Sequence, residues 1–216
     1  MIGTQQFDIK RDPTRLHESA MGNMVADSMR LKYPGVEAAL TNSGGLRADL
    51  NCNPPSAGEQ PCEITWGEVF SVLPFGNRTV IETVTGTVLR GAFGNGFQPA
   101  CDPNFSGGTG RFPQVSGLKV TFHCNGTTPV VDGIWKAPNG PSGTLPPVGP
   151  TDTVRLVTND FMYTLGAAGS GDGYPPFLSQ GTDVQQPDDD LLQVTIDYIT
   201  AHSPVGPVVE GRVVGP

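Results

Sequence analysis

The sequence predicts a mixed α/β layered domain, on three observations. Strand-like and helix-like patterns mix over the whole 216 residues, and several connections are too short for strict β-α-β crossovers. Charged residues are only 16% of the chain while glycines number 29 and prolines 21, which fits a loop-rich folded surface rather than salt-bridged helices. The length suits one substantial core, so a single domain over residues 1–216 is expected.

Met21, Met24, Val25 and Met29 recur at helical spacing behind Ser19, a candidate N-cap, so a helix is expected over Met21–Tyr33 and is stopped by Pro34-Gly35. VEAALTN reads as a short buried strand feeding the loop SGG. Ile64-Thr65 leads into WGEVFSVLP, where Thr65 can cap and Glu68 stands at capping-box spacing; Pro74 ends that helix. TVIETVTG alternates as a strand does, and TGTVLRGAFGNG predicts a helix from near Thr85 that runs out in glycine at 94–96. Gln98–Gln114, polar and glycine-rich, reads as a long loop tied down by Cys101.

SGLKVTFHC is a strand with Leu118, Val120 and Phe122 on one face, and WKAPNGPSGTLPPVGP is a surface loop because its prolines and glycines interrupt any ladder. TVRLVTNDFMY supplies the next strand and turns helical near Phe161. After SGDGY and a polar link, DDDLLQVTIDYITAH sets three acids ahead of an apolar-periodic run, as suits a helix N-terminus. Pro204 closes that helix, and VVEGRVV is the expected final strand.

The formal charge is −8, from 21 acids against 13 Lys plus Arg, and no basic stripe exists to displace the counterions of a nucleic acid. No window approaches the roughly eighteen apolar residues of a membrane span, and MIGTQQFDIK is not a secretion signal. Cys52, Cys62, Cys101 and Cys124 form no CxxC pair and have no His at ligand spacing, so disulfides read better than zinc. Cys52 and Cys62 flank NPPSAGEQP, and Cys101 and Cys124 flank a glycine-rich excursion and a strand; these pairings are favoured among the three connectivities. They imply an oxidising compartment, reached by a signal upstream of this chain.

His17, His123 and His202 are far apart and no HxH, HExxH or GxSxG occurs, so no catalytic residue, metal site or cofactor is expected here; His17 reads as a surface or capping side chain. The chain looks like a binding unit. Asn42, Gly44, Gly45 and Arg47 form a post-strand loop in which glycine permits close ligand approach and a guanidinium can grip phosphate bidentately. Taken alone NSGGLR is more often a turn, and Arg15 a solvated charge unless it converges with Arg47. Phe75 stands between a helix-ending proline and a glycine, and Phe161 follows a strand end; facing each other, the two rings would sandwich a flat heterocycle at about 1–3 kcal/mol per stack. Asp172, in GSGDGY, sits in a turn whose glycines expose the carboxylate, by default a turn cap and alternatively an acceptor for two ribose hydroxyls.

HESAMGNMVADSMR, TNSGGLRADL, ITWGEVFSVLPFGN, TVIETVTGTVLRGAF, FPQVSGLKVTF, TNDF with GSGDGY, and VEGRV, in this order, resemble the C-terminal domain of the 5'-nucleotidases. The resemblance runs from about Arg15 to Val213 and omits the loops at 98–110 and 136–150. The family commonly closes its last motif a few residues after the aromatic, whereas here FMYTLGAAGSGDG is longer.

The resemblance implies a four-layer α/β/β/α fold and a separate N-terminal metallophosphatase domain on the same polypeptide. That domain would hold two divalent metal ions and an Asp/His pair. By similarity, Phe75 and Phe161 clamp the base, Asn42 bonds its edge, Asp172 accepts the ribose hydroxyls, and Arg15 and Arg47 hold phosphate, with Gly45 keeping the Arg47 loop close. The function implied is the nucleotide-binding domain of an extracellular, periplasmic or cell-surface 5'-nucleotidase, this chain alone being inactive. Alternatives are the same domain in a 2',3'-cyclic-nucleotide phosphodiesterase or UDP-sugar hydrolase, and a non-catalytic extracellular binding module.

Overall fold

The computed structural model describes residues 1–52, 60–164 and 172–216. In chain order it contains strand β1 (Gly3–Thr4), helix α1 (Ala20–Lys32), β2 (Ala38–Asn42), β3 (Glu63–Ile64), α2 (Trp66–Val72), β4 (Thr79–Thr85) and α3 (Gly86–Cys101). There follow β5 (Pro113–Ser116), β6 (Leu118–Asn125), β7 (Thr128–Lys136), β8 (Thr153–Asn159), α4 (Asp160–Thr164), α5 (Pro175–Leu178), β9 (Thr182–Gln185), α6 (Leu191–His202) and β10 (Val213–Val214). These elements account for most of the motifs quoted above; the interior of the Cys52–Cys62 loop and the first residues of GSGDGY lie outside the described residues.

The main sheet has five strands in the order β5-β2-β8-β4-β9, with β2 parallel to β8 and the other pairings antiparallel. A second sheet, β10-β6-β7, is joined to it where the chain passes from β5 through Gly117 into β6. Gly117 has φ +74°, and a Cβ there would stand 2.1 Å from the Glu37 carbonyl oxygen, so only glycine makes this corner. Met21, Met24, Val25 and Met29 of α1 pack with Val69 of α2, Ile196 and Ile199 of α6, and Ala39, Ile81 and Val157 of the sheet. On the opposite face Leu40, Val84 and Leu156 share a cluster with Leu89, Phe93 and Phe97 of α3 and with Val120, Phe122 and Ile134 of the second sheet. Helix layers thus flank two sheets, the layered α/β/β/α arrangement that the resemblance implied. Each such aliphatic or aromatic side chain contributes roughly 1.5–3 kcal/mol by leaving water.

Local signals carried their elements. Ser19 caps α1 by accepting from the Gly22 amide, and Thr65 and Glu68 form both bonds of a capping box at α2, caps that contribute about 1 kcal/mol each. Asp190 caps α6 through the Leu192 amide. Both expected disulfides, Cys52–Cys62 and Cys101–Cys124, are present.

Three expectations need correction. Helix α3 does not run out at 94–96 but continues through Pro99 to Cys101. Phe97 stacks on Phe93 one turn back and on Phe122 of the second sheet at 3.9 Å, and that burial outweighs the roughly 1 kcal/mol helix cost of each glycine. Gly96 has a packing reason, since a Cβ there would lie 2.3 Å from the Tyr174 hydroxyl. The loop assigned to WKAPNGPSGTLPPVGP begins later, because Trp135 and Lys136 belong to β7, which pairs with β6 across a turn at Gly126-Thr127. The final strand shrinks to Val213–Val214, parallel to β6.

Candidate functional site

The parallel strands β2 and β8 end, and the antiparallel strands β4 and β5 begin, at one edge of the main sheet: Asn42 pairs with Pro113, and Thr79 with Asn159. Four loops therefore open side by side at the carboxyl ends of the parallel pair, where ligands bind in open α/β sheets. A cavity of about 410 Å³ lies among them, lined by Arg15, Asn42, Gly45, Phe75, Phe161 and Asp172 together with Gly44, Asn77 and Gly110. Of the residues singled out as binding candidates, only Arg47 is not in its wall. Its guanidinium carbon stands 5.7 Å from the centroid of the Phe75 ring, a cation–π distance, and its Nη1 donates to the Gly44 carbonyl at 3.3 Å.

Each side chain has a local reason for its place. Phe75 follows the end of α2 and is 58% exposed, a ring held out over the cavity with no core to enter. Phe161 lies in the first turn of α4, whose start is fixed by Asn159 Oδ1 accepting from the Met162 amide at 2.9 Å. Arg15 has φ +59°, a conformation that non-glycine residues adopt only when the surroundings impose it. Here Asp12 imposes it: its carboxylate accepts from the Thr14, Leu16 and His17 amides at 3.0, 2.8 and 2.9 Å, winding the Arg15 loop around one side chain. Burial works to raise the Asp12 pKa, but these bonds and that from the Thr14 hydroxyl overcome it and hold the carboxyl down to about 2. His17 completes this turn with Nδ1 3.1 Å from Asp12 Oδ2, in keeping with a capping side chain.

Gln114, fully buried on β5, fastens the Arg15 loop to the β2 loop. Its Oε1 accepts from the Ser19 amide at 2.9 Å, while its Nε2 donates to the His17 carbonyl at 2.9 Å and to Ser43 Oγ at 2.8 Å. The Arg15 guanidinium has its pKa lowered by burial first, then by the neighbouring Arg47 and Arg11, with Asp172 opposing. The Arg15 and Arg47 charges thus stand close enough to feel each other.

Asp172 departs from the expected exposed turn carboxylate. It is partly buried, its Oδ2 accepts from Asn42 Nδ2 at 2.6 Å, and burial raises its pKa against the opposing effects of Asn42, Arg111 and Arg15. Asn42 is correspondingly buried, and its Oδ1 makes a long contact of 3.4 Å with Asn159 Nδ2, so its amide faces Asp172 and not open space. Gly45 has room for a methyl group, with Asn42 Oδ1 at 3.4 Å. Gly44 has none, for its Cβ would stand 3.0 Å from Gly110 Cα. The close backbone approach that the loop requires is thus at Gly44. Among the described residues no three His, Cys, Asp or Glu side chains gather as metal ligands, and these residues do not make a dimetal centre.

Sequence reasoning missed Asn77, Gly110, Gln114, Asn95 and Arg111. The one local signal was Gln114 itself, a polar residue between the apolar Pro113 and Val115.

Comparison with known proteins gives consistent matches. Residues 1–178 match the family described as "5'-nucleotidase, C-terminal domain". The chain is 32% identical over 214 residues to the trifunctional nucleotide phosphoesterase protein YfkN of Bacillus subtilis, an alignment covering 96% of this chain and 13% of that protein. It is 30% identical over 203 residues to the cell wall protein Lmo0130 of Listeria monocytogenes, covering 90% of this chain and 23% of that one. Among solved structures, the 5'-nucleotidase precursor of Thermus thermophilus superposes with a TM-score of 0.78 at 27% identity, covering 99% of this chain and 39% of that chain. The chain therefore spans well under half the length of each of these relatives.

Proposed function

Because this chain belongs to the family of 5'-nucleotidase C-terminal domains, we propose that it is the nucleotide-binding and specificity unit of a secreted, metal-dependent 5'-nucleotidase that releases nucleoside and phosphate from nucleoside 5'-phosphates. The observation that carries this reading is the cavity of about 410 Å³ shared by Phe75, Phe161, Arg15 and Asp172, with Arg47 beside it. In it the rings take the two faces of the base, Asp172 accepts the ribose hydroxyls, and Arg15 and Arg47 neutralise and orient the phosphate. Gly45 keeps the wall beside Arg47 low enough for the ligand to approach.

The hydrolytic groups, including two divalent metal ions, belong in this proposal to an N-terminal metallophosphatase domain of the same polypeptide, and the isolated chain binds weakly and hydrolyses nothing. Export to an extracellular, periplasmic or cell-surface location is supported by the two disulfides and by the cell-wall name of one relative. Among the described residues no helix is long and apolar enough to cross a membrane. A second reading has the same clamp serve 2',3'-cyclic nucleotides or UDP-sugars; the Bacillus subtilis relative, named a trifunctional nucleotide phosphoesterase, supports more than one activity for such a clamp without saying which. Assays of the full-length protein with AMP, 2',3'-cyclic AMP and UDP-glucose separate the two. Calorimetric titration of this chain with AMP, 2',3'-cyclic AMP and UDP-glucose tests binding itself: no heat or thermal shift with millimolar AMP refutes the first reading, and none with any of the three refutes both.

A further inference from the structure

Behind Asp172 lies a cation that the proposed binding roles leave unused. Arg111 is 8% exposed, and Tyr174, fully buried, holds its backbone by donating to the Arg111 carbonyl at 2.6 Å. Its guanidinium lies over the Phe105 ring at 4.5 Å, donates to Asn95 Oδ1 at 2.8 Å and to the Gly107 carbonyl at 3.2 Å, and its Nε finds no partner among the described residues. Among the described residues it has no ion pair. Asn95 turns its other end to the site, Nδ2 donating to the Asp172 carbonyl at 2.8 Å. Gly173 fits between them: with φ +72°, a Cβ on it would stand 2.8 Å from Asn95 Oδ1 and 3.2 Å from Arg111 Nη1. One amide thus joins the buried guanidinium to the residue that carries the cavity's carboxylate.

A buried arginine without an anion is costly unless a nearby negative charge balances it. Asp172 is placed to do so: it feels the charges of Arg111 and Arg15, accepts from neutral Asn42 at Oδ2, and has the buried Tyr174 phenol two residues on in sequence. We propose that Arg111 is a positioning residue which, through Asn95 and its own charge, keeps the Asp172 carboxylate ionised and aimed into the cavity, and so makes the site select ribonucleotides over 2'-deoxyribonucleotides. The inference rests on the nucleotide-binding reading above. An ionised carboxylate accepts hydrogen bonds from both hydroxyls of a ribose, and a 2'-deoxy sugar leaves one of those bonds unmade.

The test titrates AMP and 2'-deoxy-AMP into this chain by calorimetry between pH 4.5 and 8, for the wild type, Arg111→Gln and Arg111→Lys. The wild type is expected to bind AMP about tenfold more tightly than 2'-deoxy-AMP and to lose that preference on acidification. In Arg111→Gln the midpoint of this loss moves up by about one pH unit, as befits removal of a nearby opposite charge, and Arg111→Lys restores it. If the wild type binds AMP without preferring ribose, or Arg111→Gln keeps the wild-type midpoint, or Gln and Lys lose the preference alike, the proposal is overturned while nucleotide binding stands. If neither nucleotide binds the wild type, the functional reading fails and takes this one with it. Should Arg111→Gln not fold, Asn95→Ala, which frees both the guanidinium and the Asp172 carbonyl, is expected to cut the AMP preference at least threefold. An unchanged preference in that variant overturns the proposal.

Discussion

Asn42 and Asp172, 130 residues apart in sequence, meet in a hydrogen bond of 2.6 Å from Nδ2 to Oδ2. The bond joins the end of β2 to the turn before α5 and closes one side of the cavity. Through it the Asn42 amide holds the Asp172 carboxylate. Asn42→Ala is expected to weaken AMP binding through the ribose, so that ribose and 2'-deoxyribose nucleotides converge in affinity. An equal loss for both in calorimetry would assign Asn42 to the base instead.

Phe75→Ala and Phe161→Ala in the full-length protein are expected to raise KM for nucleoside monophosphates more than they change kcat, each by the roughly fivefold or more that a lost stack of about 1–3 kcal/mol implies. Steady-state kinetics with AMP indistinguishable from wild type would remove the rings from the ligand. Phe75 is the cleaner test, because its exposed ring supports little of the core.

Arg47→Ala is expected to weaken AMP much more than adenosine, and Asp12→Ala to do the same indirectly by releasing the Arg15 loop. Asp12 adds a pH signature. Its folded pKa of about 2 lies below the ordinary value of 3.8, so its contribution to stability is present above that ordinary value and is lost as pH falls toward 2. Acid unfolding curves should therefore separate wild type from Asp12→Ala near neutrality and bring them together at the acid end.

Gly44→Ala and Gly45→Ala should differ although they are neighbours. At Gly44 the new methyl meets Gly110 backbone at 3.0 and 3.1 Å, so destabilisation of about 1–3 kcal/mol is expected in thermal melts. At Gly45 it meets only ordinary contact, so the melting temperature holds while ligand affinity falls as the methyl enters the cavity. Equal melting temperatures for both variants would contradict the packing described.

How much of this was legible beforehand follows from how local each signal is. Caps at Ser19, Thr65 and Asp190 and the apolar faces of α1 and β6 are written within a few neighbouring residues, and they located their elements. Strand β9 is exposed at every residue, so it carries no alternation to read, and α3 outran its glycines because Phe97 finds a partner in Phe122 on another sheet. The cavity side chains could be named because glycines, prolines and strand ends set them apart, and because the motifs resemble a family. Asn95 and Arg111 could not, since the bonds that tie them to the site, Arg111 to Asn95 and Asn95 to Asp172, span 16 and 77 residues and leave no local pattern, and Gln114 offered only its polarity.

Glu82 offers a test of the core independent of any ligand. It is fully buried in β4, both carboxyl oxygens lack partners among the described residues, and burial lifts its pKa to about 8 against the pull of Arg155. The folded chain keeps this proton while the unfolded chain releases it near 4.5, so stability falls as pH rises from about 4.5 to 8. Glu82→Gln, neutral throughout, is expected to raise the melting temperature at pH 9 by about 10 °C, since the separation between 4.5 and about 8 amounts to about 4 kcal/mol, and to change it little at pH 4. The same shift at both pH values would show that ionisation is not the cause.

The most direct test of the central claim is a crystal structure of this chain soaked with AMP. The base should lie between Phe75 and Phe161, the ribose hydroxyls against Asp172, and the phosphate beside Arg15 and Arg47. Ordered nucleotide bound elsewhere, with the space between the two rings unfilled, would contradict the account.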